Sequence, residues 1–155
     1  MRKIVRNRKI PRIILPFILI TQMLVGCDKV PMNGDLDGQW QLMEIQTPEG
    51  TRDVRDSRTY LSIQLHLCQW NHINMAYYSY FVHKGDSIRF YNFVHSSLHR
   101  TKEDDNERVT AKEMSEGLMD AWGIHSCDAR YRIMQLNADK LELESADTLL
   151  FFRKF

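Results

Sequence analysis

Residues 59–70 read Thr59-Tyr60-Leu61-Ser62-Ile63-Gln64-Leu65-His66-Leu67-Cys68-Gln69-Trp70 and alternate apolar with polar almost without a break. Leu61, Ile63, Leu65 and Leu67 fall on one side; Tyr60, Ser62, Gln64, His66 and Cys68 fall on the other. Successive side chains of a strand point to opposite faces, so this period of two predicts one β-strand with a buried side and a wet side. The pattern recurs along the chain. Residues 75–83 and 86–94 meet at Lys84-Gly85, which suits a tight hairpin, and Ile88, Phe90 and Val94 oppose Arg89. Tyr131 and Ile133 oppose Arg130 and Arg132, and Leu141 and Leu143 oppose Glu142 and Glu144, with Ala138-Asp139 as the connection. A first strand from Gly38 and a closing one in DTLLFFRKF, residues 147–155, bring the number to seven. An eighth is expected from residues 51–54 or from the flanks of the charged segment 101–108.

Strands that are each apolar on one side bury that side and lose their open edges by closing on themselves. The expected fold is therefore all-β: an antiparallel up-and-down β-barrel of about eight strands. Its inward positions are Trp40, Leu42, Leu61, Ile63, Leu65, Leu67, Ile88, Phe90, Tyr131, Ile133, Leu141, Leu143, Leu150 and Phe152. All are apolar or aromatic and most are large, so the interior is expected to be mostly filled. One segment departs from the period. Thr110-Ala111-Lys112-Glu113 spells a capping box, Met114, Leu118, Ala121 and Trp122 recur at helical spacing, and Gly123 suits a left-handed end. These predict one late amphipathic helix of about three turns, packed over an opening of the barrel.

The amino-terminal residues carry an address. Arg2, Lys3, Arg6, Arg8, Lys9 and Arg12 precede an uncharged apolar run over residues 13–25, which is the layout of a secretory signal. The run is too short to span a bilayer, which takes about 20 apolar residues. Leu24, Val25 and Gly26 lead into Cys27, two apolar positions and a small residue before a cysteine. A thiolate can be alkylated by a diacylglyceryl group, and small residues before it admit the peptidase, so Cys27 is the expected lipidation site and membrane anchor. The organisation expected is a signal peptide over residues 1–26, a tether over 27–37 and a folded domain over 38–155. The address is the bacterial cell envelope, the outer membrane rather than the inner.

Charge narrows the partners. The whole chain has 21 basic and 20 acidic residues; six basic and no acidic ones leave with the signal, so the remainder carries a formal charge of −5. Clustered Lys and Arg drive phosphate binding, and no such stripe remains, so nucleic acid is not an expected partner.

Gly38-Gln39-Trp40 at the opening of the first strand resembles the G-x-W of lipocalins. The run GQWQL, the HKGDS hairpin, WGI after the helix and the closing DTLLFFRKF are together similar to a lipocalin-like lipoprotein family of Bacteroidetes. The T-D-Y element of the lipocalins proper has no counterpart here. The resemblance implies a structural role for Gly38 and Trp40, with the tryptophan plugging the barrel base beneath an arginine of the last strand, the place that Arg153 matches.

Catalytic and metal signals are thin. His95 and His99 are four apart but no third ligand completes a set, and Glu103, Asp104, Asp105 and Glu107 lack the glycine and spacing of a calcium loop. No phosphate-binding loop, nucleophile elbow or dinucleotide fingerprint is present, so neither an enzyme class nor a cofactor is indicated. Cys68 and Cys127 are the remaining cysteines. The alternation sets them on opposite faces, which disfavours a disulfide although the compartment allows one. Aromatic side chains with a polar tip suit binding surfaces, and Trp70, Tyr77, Tyr78 and Tyr80 are the expected mouth of a ligand site. The function expected is a non-catalytic binding module for a small ligand or an envelope protein. The alternative is a structural component of an envelope complex, with a packed barrel and no ligand.

Overall fold

The computed structural model describes residues 32–95 and 108–155. The expectations for the signal peptide, for Leu24, Val25, Gly26 and Cys27, for His99 and for the acidic residues 103–107 lie outside the described residues.

Among the described residues nine strands form one antiparallel sheet: β1 (Gly38–Thr47), β2 (Gly50–Asp53), β3 (Thr59–Gln64), β4 (Leu67–His72), β5 (Met75–Lys84), β6 (Ser87–His95), β7 (Asp128–Leu136), β8 (Lys140–Glu144) and β9 (Leu149–Lys154). β1 pairs with β9, so the sheet closes into an eight-stranded up-and-down barrel. The ninth strand lies off the ring. β3 pairs with Gly38–Gln41 of β1, whereas β2 pairs with residues 44–47 farther along, so β2 is a flap on the end of β1. The turns β3–β4, β5–β6 and β7–β8 gather at one end of the barrel, here called the base, with the start of β1. The longer connections gather at the other, the loop end.

The eighth stave comes from an unexpected place. Residues 59–70 are two strands joined at Leu65-His66, with Ile63 opposite Cys68 and Leu61 opposite Trp70. Leu65 takes a left-handed backbone (φ 56°), a conformation that leucine rarely adopts and that no Gly, Asn or Pro announces. Directly opposed residues in a hairpin share a face, so the turn reverses the phase. Cys68 and Trp70 enter the core fully buried, whereas Leu65 and Leu67, expected inside, are about half exposed. The other expected inward positions are buried, apart from Ile133, which is partly covered.

The late helix is shorter than its sequence suggests. The capping box forms, with the Glu113 amide donating to the Thr110 hydroxyl at 3.3 Å and the Thr110 amide donating to the Glu113 carboxylate at 2.7 Å. The α-helix α1, however, spans only Ala111–Ser115. Gly117 (φ 89°) then breaks it by taking a left-handed backbone that no helix continues. A single 3-10 turn, Asp120–Trp122, follows and ends at Gly123 in the left-handed region. Of the expected stripe Met114 and Trp122 are buried and Leu118 and Ala121 partly so, while Met119 and Ile124, outside that spacing, are buried beside them.

The folded unit also starts earlier than expected. The Asn33 amide and side chain both donate to the Asp37 carboxylate, at 3.0 and 2.5 Å, a 3-10 turn spans Gly34–Leu36, and Leu36 is fully buried. Residues 33–37, assigned to a tether by sequence, are therefore part of the barrel base.

Candidate functional site

At the base, Trp40 is fully buried and its indole N–H donates to the Leu36 carbonyl at 2.9 Å. A cation does cover this ring, but it is Lys154, with Nζ 4.2 Å from the ring centroid. Lys154 is the register partner of Trp40. Its ammonium donates to the carbonyls of Asp35 (2.6 Å) and Asp37 (2.5 Å), and burial pulls its pKa down while Asp35 and Asp37 push it back up. Arg153, the residue expected there, points to the outer face and donates to the Gln41 side chain at 2.8 Å, because consecutive residues of a strand face opposite ways. Gly38 makes the crossing possible. It holds φ 125°, and a Cβ on it would lie 2.9 Å from Lys154 Cε. This cluster closes the base and presents no reactive group to solvent.

The loop end is covered by the segment around α1. The Trp122 ring meets Tyr77 edge-on at 5.7 Å between centroids and His72 at 5.8 Å, and its N–H donates to the Tyr60 carbonyl at 3.3 Å. Tyr77 in turn packs on His95 at 5.3 Å, and His95 Nε2 lies 3.2 Å from the Glu113 carboxylate. Burial raises the Tyr77 pKa, with Glu113 adding to it, whereas the hydrogen bonds from Thr110 lower that of Glu113. Beneath this cover Trp70 donates to Ser79 Oγ at 2.9 Å and packs edge-on against Phe90 at 4.9 Å. Trp70, Phe90, Phe93 and Trp122 thus occupy the space in which an open barrel would hold a ligand.

Of the four aromatic residues expected at a mouth, only Trp70 and Tyr77 are brought together, as cross-strand partners. Trp70 and Tyr77 are buried inside the barrel, whereas Tyr78 and Tyr80 stand on its outer wall, Tyr80 stacked on Tyr91 at 6.0 Å. The reversed phase of β4 carries Trp70 inward, and strand alternation separates Tyr77 from Tyr78.

The concavities of the loop end lie outside the core. One, of about 270 Å³, is bounded by residues 123–131 and the β8–β9 turn with Asp147 and Thr148. Another, of about 430 Å³, lies between the β1–β2 hairpin and Asp120, Gly123 and His125. Both are open, with charged side chains such as Asp128, Arg130, Arg52 and Asp120 set among apolar surface. Arg52 donates to the Asp120 carbonyl at 2.7 Å, and His125 Nδ1 lies 3.1 Å from the Asp120 carboxylate. Asp128 accepts from Arg89 Nε and Nη2 at 2.7 and 2.6 Å and from Arg130 at 3.3 Å, which draws its pKa down to about 2. Sequence reasoning missed this rim, since its charges look like ordinary solvated loop residues until the β1–β2 hairpin folds beside them.

The chemistry on offer is recognition by hydrogen bonds and charge. A hydroxyl–imidazole pair does exist, Thr59 Oγ1 to His72 Nδ1 at 2.8 Å, but Thr59 is fully buried and cannot reach a substrate. Cys68 and Cys127 are free thiols. Cys68 is sealed in the core, where burial pushes its pKa far up, contrary to the outward position read from the sequence. Among the described residues no group of three His, Cys, Asp or Glu side chains is placed to hold a metal ion.

A lipocalin-like domain model matches residues 22–155 of the chain. Among solved structures, a lipocalin-like protein from Bacteroides uniformis is similar at 21% identity and TM-score 0.55, over 79% of this chain and 100% of that one. An uncharacterized protein from Bacteroides eggerthii is similar at 21% identity and TM-score 0.57, over 77% and 98%. At these identities the likeness speaks for the fold. No curated protein matches the chain in sequence. With a match to nearly the whole folded unit and a closed eight-stranded barrel sealed by its first tryptophan, the chain belongs to the lipocalin-like domain family.

Proposed function

We propose that the chain is a lipoprotein of the bacterial cell envelope, anchored through lipid on Cys27 in the outer membrane, and that its barrel is a non-catalytic binding module. Its contacts lie on the outside, on the polar rim of the loop end, with an envelope protein or a small polar ligand as occupant. The observation that supports the external position is the filled interior: Trp70, Phe90, Phe93 and Trp122 occupy the barrel, and Met114 and Met119 are buried in the segment that covers it. An apolar carrier site needs a concave apolar cavity of several hundred Å³, whereas the clefts here are open and charged. A barrel of this family suggests binding; which occupant it takes depends on the site.

The same packing favours the second reading, a structural component of an envelope complex. Native mass spectrometry of the protein purified from its own cells separates the two. A retained protein or polar molecule that is lost from an Arg52→Glu, Arg130→Glu variant supports the rim as a binding site. Recovery within an envelope complex that holds no small molecule and stays intact in that variant supports the structural reading. A lipid held one per barrel overturns both. For the anchor, Cys27→Ser should leave an uncleaved, unlipidated precursor, and normal processing with detergent partitioning would overturn it.

A further inference from the structure

We propose that the barrel stands on its base against the bilayer, through a girdle of exposed apolar side chains, with its loop end directed away from the membrane. This inference rests on the lipid anchor at Cys27 and adds an orientation to it. Ten large apolar side chains are exposed among the described residues. Six of them ring the base: Met32 (61% exposed), Leu65 (55%), Leu67 (45%), Val82 (48%), Met134 (47%) and Phe155 (72%). Tyr80, opposite Leu67 in register, borders this ring, Tyr78 lies farther along the wall, and Ile73 and Met75 lie at the loop end.

Register and turn position place five of the six, and Met32 adjoins Asn33, which is bonded to the β3–β4 turn. Leu65 forms the β3–β4 turn and Leu67 opens β4. Val82 lies two residues before the base end of β5, Met134 two before that of β7, and the Phe155 amide donates to the Gln39 carbonyl at the start of β1 while its ring rests edge-on against Tyr60 on the adjoining wall. Leu65 takes a left-handed backbone with its side chain in water, as Ile73 does in the β4–β5 turn at the loop end, so what sets the base apart is the number of such side chains gathered there.

Chain length names the occupant. The Asn33 side chain donates to the Leu65 carbonyl at 2.9 Å, so the described chain enters the barrel at the girdle itself. Only residues 28–31 separate Cys27 from Met32. Even fully extended, that span covers roughly 17 Å, about half the length of the ten-residue strand β5 that runs from base to loop end. An anchor at Cys27 therefore keeps the base within reach of the headgroups, and the loop end is the part that the chain cannot bring down without rolling the barrel over. Charge does not compete with this arrangement. The exposed base turns carry both signs side by side, Lys84 with Asp86 and Lys140 with Asp139, so the contact is apolar and indifferent to lipid charge.

The test uses the full, lipidated chain in phosphatidylcholine vesicles whose acyl chains are brominated. The three native tryptophans are fully buried and give a constant background. One variant carries Leu67→Trp at the base and another Ile73→Trp at the loop end, and emission of the added tryptophan is compared with flotation of the protein. Expected are flotation of both variants and at least about twofold stronger quenching of the Leu67→Trp signal, unchanged when anionic lipid is added. Flotation with equal quenching, or with quenching only at Ile73→Trp, overturns the orientation and leaves the anchor standing. Flotation with the Leu67→Trp signal still open to aqueous iodide means that the girdle faces water or a protein partner, and overturns it too. Failure of the wild type to float overturns the anchor and the orientation together.

Discussion

The two ends of the barrel are closed by opposite means. The base is sealed by residues whose places are fixed by strand register, with Trp40 paired to Lys154 and Leu36 tucked beneath. The loop end is sealed by a segment that belongs to no stave, in which Trp122 reaches the barrel from a broken helix and meets Tyr77 and His72. A register-bound plug cannot leave without undoing two strands, whereas a cover laid on by a connection can shift as a unit. The base is thus the stability end, and the loop end is where sequence can change with least damage to the ring.

Substitutions at the two tryptophans test that asymmetry most strongly. Trp40→Ala should cost about 3–5 kcal/mol in chemical unfolding, since it empties a fully buried site whose neighbours are held by β1, β9 and the 3-10 turn. Trp122→Ala should cost less, about 2–3 kcal/mol, because the cover can settle into part of the space, and the variant should gain binding of an apolar dye that the wild type lacks. Equal losses, with no gain of dye binding, would break the comparison. Gly38→Ala comes next, at about 1–3 kcal/mol, from a Cβ at φ 125° pressing on the Lys154 stem. Its partner test is Lys154→Met, which keeps the stem and removes the ammonium that caps Asp35 and Asp37; it should cost no more than Gly38→Ala.

The smallest effect concerns pH at the loop end. The Asp128 carboxyl is drawn to about 2 by Arg89 and Arg130, from an ordinary value of 3.8. A depressed folded pKa means that the carboxylate contributes stability above the unfolded value, and that this contribution fades as the pH falls from about 4 through about 2. Asp128→Asn should therefore flatten the stability profile across that window by a small amount, as expected of an exposed ion pair, and leave the profile above it parallel to the wild type.

The strand pattern was legible wherever a turn announced itself. Lys84-Gly85 supplied a positive φ at glycine, and the β5–β6 hairpin stands where the alternation set it. The β3–β4 turn was hidden because Leu65 and His66 continue the alternation while the backbone reverses, so the phase of Cys68 and Trp70 came out inverted. The capping box at Thr110 was readable, being a local hydrogen-bond pattern, but the end of α1 at Gly117 was not, since helical spacing persists through a 3-10 turn. The cation over Trp40 turned on one residue of register: Arg153 and Lys154 are neighbours, and only the β1–β9 pairing decides which one faces in. The polar rim left no periodic trace, because its residues come from the β1–β2 hairpin, the segment after Trp122 and the β8–β9 turn.

The central claim is that the barrel is full and does its work on the outside, and titration of the native protein with a fluorescent fatty acid tests it most directly. The account predicts no saturable binding and no change in the emission of Trp70 and Trp122, whose rings already fill the space. Saturable one-to-one binding that quenches those tryptophans would contradict it and make this barrel a carrier.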